Sequence, residues 1–82
     1  MIKWKSLLKR IPIEIQVSKE HKFPIVFVSD FADGKTLGET RFSPNQIAII
    51  LGQSPKETVH TYLHEVLHAI SFAYESLAHV SA

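Results

Sequence analysis

The sequence predicts a small α+β domain, a mainly antiparallel sheet of three to four strands packed on one long C-terminal helix. Apolar and polar residues alternate between 11 and 18, and short apolar runs recur at 24–28 and 47–51. A capped stretch with apolar residues at three-and-four spacing then begins near Ser54. At 82 residues without a Pro-, Gly- or Ser-rich linker, the chain reads as a single domain spanning 1–82.

At the N-terminus, Lys3, Lys5, Lys9 and Arg10 surround Trp4, Leu7 and Leu8. These apolar residues are too few and too interrupted for a signal-peptide core, and no stretch approaches the roughly 20 apolar residues of a membrane span. The expectation is a short helix or arm docked on the sheet, no membrane partner, and a cytoplasmic location. Next, Ile11, Ile13, Ile15 and Val17 alternate with Pro12, Glu14, Gln16 and Ser18, which marks a half-buried strand. Pro24-Ile25-Val26-Phe27-Val28 reads as a second, more buried strand, with His21-Lys22 in the hairpin loop between the two. Asp30 and Asp33 fall in a turn region, explained by turn formation alone. Gly38 to Phe42 is expected as a third strand, joined through Ser43-Pro44-Asn45 to a fourth over Gln46 to Leu51. The glycines Gly34, Gly38 and Gly52 read as turn residues.

The final element has the clearest start signal. Ser54 is an N-cap, Pro55 sits at the first helical position and Glu57 at the third, together a capping box. Val59, Tyr62, Leu63, Val66, Ile70, Ala73 and Leu77 then recur at steps of three and four and are expected to face the core. His60, His64, His68, Ser71, Glu75 and His79 share a different stripe.

Within that stripe, His64-Glu65-Val66-Leu67-His68 spells H-E-x-x-H. Positions i and i+4 lie about 6 Å apart along a helix, so both imidazoles can reach one Zn²⁺. Glu65 is then placed as general base for a zinc-activated water rather than as a ligand. His60 is too far along the axis to join the same ion from a regular helix, since i to i+8 spans about 12 Å. Tyr74 and His60 are the candidates for an oxyanion donor, and the sequence does not choose between them. With no cysteine, any metal must be held by His, Asp or Glu.

Leu37-Gly38-Glu39-Thr40, the Pro44-Asn45 turn, the strand Ile47-Ala48-Ile49-Ile50 and the segment Thr61 to Ile70 together resemble the core of small zincin-like metallopeptidases. The nearest are the ImmA/IrrE-like proteases and small phage or prophage proteins. The resemblance covers Leu37 to Glu75. It implies a zinc-dependent peptidase in which a strand edge beside the helix aligns an extended peptide or protein substrate. His64, Glu65 and His68 carry over residue by residue. The metzincin continuation fails, because Ser71 and Tyr74 stand where Gly and His would be required. Gluzincin-like relatives take a third ligand, usually Glu, from a following helix. Here Glu75 is the nearest downstream carboxylate, and it can bind only if the helix breaks after His68. His79 folding back after a helix end near Leu77, or a helix beyond the last residue, are the other sources.

The net charge of +1 argues against a nucleic-acid surface. No nucleophile elbow and no phosphate-cradling glycine loop is present. Two other readings stand beside the peptidase. One is a catalytically inactive relative that binds zinc or a partner. The other is a metal-free, phage-type accessory or interaction domain, or a homo-oligomer, whose small apolar sheet needs a partner to cover its edges.

Overall fold

The computed structural model describes residues 2–81, with side chains through residue 75. The chain runs α1 (Trp4–Leu8), β1 (Glu14–Ser18), β2 (His21–Val28), β3 (Gly38–Arg41), β4 (Gln46–Ile50) and α2 (Pro55–Ser81). The strands form one sheet in the order β1-β2-β4-β3. This is the expected α+β arrangement, although the sheet is mixed. β1 pairs with β2 and β3 with β4 in antiparallel fashion, while β2 and β4 are parallel at the centre. After β2 the chain passes to the far edge, forms β3 there, and returns as β4 into the gap.

Local chemistry explains where the observed boundaries depart from the expected ones. β2 starts at His21, and the hairpin turn is Lys19-Glu20, so His21 is a strand residue paired with Ser18 rather than a loop residue. Pro24 lies inside β2, at the point where pairing passes from β1 to β4. The amide of Ile25 bonds to the Ile13 carbonyl at 2.8 Å, and β4 pairing begins only at Ile25, so the N–H that Pro24 lacks removes no ladder bond. The chain bends at Ile13, which breaks the alternation. Ile11, Ile15 and Val17 pack against the core, whereas Ile13 is 88% exposed.

The core sits between the sheet and α2. Phe23 and Ile25 of β2 and Ile47 and Ile49 of β4 face Ala69 of the helix, with Tyr62, Val66 and Phe72 at the margins. On the other sheet face the Arg41 guanidinium lies over the Phe31 ring, 5.8 Å from its centroid. No helix among the described residues is long and apolar enough to cross a membrane.

The capping box is present. Ser54 Oγ accepts from the Glu57 amide at 3.2 Å and donates to Glu57 Oε1 at 3.3 Å. Of the residues expected to face the core from α2, Val59, Tyr62, Val66 and Ala73 pack inward, and Leu77 lies outside the residues whose side chains are described. Thr58, Val59, Glu65, Ala69 and Ala73 are buried, while Leu63 and Ile70, expected inside, are exposed. Ala69 and Ala73 are almost fully buried, so small residues take the most enclosed positions of the helix, with Tyr62, Val66 and Phe72 packed at the margins.

Candidate metal and hydrolytic site

The site forms where α2 crosses β3. Thr40 and Gly38 are two apart on β3, so both face the helix. Gly38 allows the close approach. A Cβ at this position would overlap Thr61 Cγ2 and lie 3.1 Å from Glu65 Cγ. It is therefore a packing residue at the start of a strand, not the turn glycine expected from sequence. Thr40 supplies the polar counterpart: its hydroxyl hydrogen is shared between Glu65 Oε1 at 2.8 Å and the Glu65 carbonyl oxygen at 3.0 Å. Glu65 is 6% exposed, and this bond gives its buried carboxylate a donor.

One helical turn apart, His64 and His68 lie on the exposed flank of α2 with their Nε2 atoms 3.0 Å from each other. The rings meet edge to face, with centroids 4.6 Å apart. Two ligands at about 2.0–2.1 Å from a tetrahedral zinc ion would be separated by about 3.3 Å. The pair thus fits two corners of such a shell. An open cleft of about 590 Å³ contains His64, Glu65 and His68, with Gly38 and Thr40 along one wall and Phe42, Ser71, Phe72 and Glu75 at one end. A second hollow adjoins it and shares Gly38, His64 and Glu65, extending the groove along β3 toward Thr36 and Leu37. Phe42 and Phe72 stack at a tilt with centroids 4.2 Å apart, so an aromatic pair lines the cleft alongside Ser71 and Glu75.

No family model, curated protein or solved structure matches the chain. The resemblance to zincin-like and ImmA/IrrE-like metallopeptidases is not sustained. Among the described residues no group of three His, Cys, Asp or Glu side chains could hold a metal ion. The physical reason lies in α2, which runs unbroken from Pro55 to Ser81. Glu75 lines the same cleft as the histidines, but seven residues of regular helix carry it about 10 Å beyond His68. The break that would bring it back is absent. His79 lies outside the residues whose side chains are described.

The other sequence candidates separate cleanly. His60 packs its ring edge-to-face on Trp4, with centroids 5.1 Å apart, and lines the adjoining hollow rather than the cleft. Tyr74 is 74% exposed and lines neither hollow. His21 bonds to the Ser18 hydroxyl and packs on Phe72. Asp33 organises its own turn, accepting from the Lys35 and Thr36 amides at 2.9 Å each and from the Thr36 hydroxyl. Led by the Thr36 hydroxyl, these bonds lower its carboxyl pKa to about 2. Sequence reasoning missed the roles of Gly38 and Thr40. Their two-residue spacing on a strand beside a helix was the available signal.

Proposed function

We propose that this chain is a zinc-dependent hydrolase of peptide bonds, in which His64 and His68 hold the metal and Glu65 is the general base. The supporting observation is the convergence of two imidazole Nε2 atoms to 3.0 Å beside a buried carboxylate in an open cleft. When bound, zinc would polarise a substrate carbonyl and lower the pKa of water toward about 7. Glu65, oriented by Thr40, takes the proton of the attacking water and delivers it to the leaving amine.

The strand edge beside the cleft supports an extended peptide or protein segment as substrate. The Leu37 carbonyl accepts from the Ile50 amide, so by alternation residues 39 and 41 also bond to β4. The backbone groups of Gly38 and Thr40 then point to the open edge, where an added strand would pair. The cytoplasm is the proposed setting.

One observation favours a second reading, zinc binding without turnover: no third ligand joins the histidines among the described residues. Both readings are tested by zinc content per chain after exhaustive dialysis, in the wild type and a His64→Ala/His68→Ala variant. A Glu65→Gln variant is then assayed on a peptide library. One zinc per wild-type chain, none in the double variant, and cleavage lost in Glu65→Gln is the expected result. Bound zinc with no cleavage by the wild type would support the second reading, and no zinc in either protein would overturn both.

A further inference from the structure

The end of the cleft lined by Phe42, Phe72 and Glu75 joins an aromatic surface to a carboxylate. Phe42 follows Thr40 by two residues and packs on Phe23 and Phe72, so it faces α2 as Gly38 and Thr40 do, and it is 44% exposed. Glu75 lies three residues after Phe72, on the next turn of the same helix face. Among the described residues, no Lys or Arg lines the cleft or the adjoining hollow, although the chain carries nine. The carboxylates along the cleft are those of Glu39, Glu65 and Glu75. Glu39 is paired with Arg41 and Glu65 with Thr40, whereas no described side chain is paired with Glu75. Glu75 is therefore the carboxylate left for an incoming group.

We propose that this end of the cleft is a subsite for a lysine or arginine side chain of the bound segment, an assignment that rests on the cleft's being a peptide site. A segment paired with the open edge of β3 turns alternate side chains toward α2. The residue two along from the one beside Thr40 then comes to Phe42. Its aliphatic stem lies on the Phe42 and Phe72 rings, and its charged head reaches Glu75 one turn further along α2. Lys and Arg divide an apolar stem from a cationic head in this way. A cation within about 6 Å of a ring centroid is also attracted to the aromatic face. A wholly apolar side chain would leave Glu75 unused, and an acidic one would be repelled by it. The subsite is separate from the histidine pair, because regular helix carries Glu75 about 10 Å beyond His68.

The test reads binding, with no zinc added. The probe is an immobilised set of short peptides of random sequence in which one position at a time is fixed as Lys, Arg, norleucine, Phe or Glu, and the full chain is applied to it. The expected result is one position at which Lys or Arg retains at least tenfold more protein than norleucine, Phe or Glu. In Glu75→Gln the Lys and norleucine peptides should bind within twofold of each other, and in Glu75→Lys the Glu peptide should exceed the Lys one. Glu75 is exposed on α2, so the circular dichroism spectra of both variants are expected to match the wild type. Should either variant fail to fold, the wild-type preference and the other variant decide. Norleucine or Phe retained as well as Lys, a Lys preference that survives in Glu75→Gln, or binding of no peptide would overturn the proposal. Offering the same peptides to zinc-loaded wild type separates the subsite from the hydrolase. A basic preference in binding without cleavage upholds the subsite and overturns turnover, while cleavage with no basic preference overturns the subsite alone.

Discussion

The Thr40 hydroxyl on the edge strand donates to the Glu65 carboxylate on α2 at 2.8 Å, tying the second residue of the H-E-x-x-H segment to the sheet. This bond sets Glu65 apart from the two histidines of the segment. Glu65 is drawn inward and held, while His64 and His68 remain on the open flank with their nitrogens converging.

Replacing Thr40 by Val preserves shape but removes the donor from a buried carboxylate. Loss of about 1–3 kcal/mol of folding stability is expected, measured by urea denaturation. Glu65→Gln keeps an acceptor for the hydroxyl and is expected to cost less than Thr40→Val. Equal losses in the two variants would count against the bond as the reason for this placement.

Gly38→Ala forces a methyl against Thr61 and Glu65, and a destabilisation of about 1–3 kcal/mol is expected. Because the nearest obstructing atom is Thr61 Cγ2, adding Thr61→Ser removes it while keeping the hydroxyl that donates to Gln53. The double variant is therefore expected to recover part of the loss. A double-mutant cycle with no coupling between 38 and 61 would refute the packing account.

His60→Ala is expected to leave zinc stoichiometry unchanged, because its ring packs on Trp4 rather than beside His64 and His68. The change should instead loosen α1, seen as a shift in Trp4 fluorescence. A fall in bound zinc would show that His60 takes part in the site.

Asp33 gives a pH-dependent prediction. Its carboxyl is held at about 2 in the folded chain, below the ordinary 3.8, so the unfolded state binds the proton more readily. The contribution is fully present above about pH 4 and is lost as pH falls through about 2. The Lys35 and Thr36 amide resonances should titrate together near that lower value, and Asp33→Asn should abolish the transition. Titration near 4 would mean the turn does not hold the carboxylate.

Phe23 is fully buried where β2 meets the helix, packed edge to face on Phe42 with centroids 6.0 Å apart. Phe23→Ala is expected to cost about 3–5 kcal/mol, a large share of the stability of so small a domain. Ile13→Ala, at an exposed bend, should change the urea midpoint little.

By itself the sequence determined the elements whose signals are local. The capping box set the start of α2, period-two alternation marked β1, and the i, i+4 histidines defined a candidate metal pair, because each depends on backbone geometry over a few residues. Tertiary structure decided which side of those elements meets a neighbour. Large apolar residues surround α2, so spacing alone favoured Leu63 and Ile70 as core, while packing on the sheet selected Ala69 and Ala73 and turned Glu65 inward. The parallel pairing of β2 with β4, the contact that requires Gly38, and the Thr40–Glu65 bond join residues distant in sequence. The continuity of α2 likewise keeps Glu75 about 10 Å along the axis from His68, since helix geometry fixes their separation once no break intervenes.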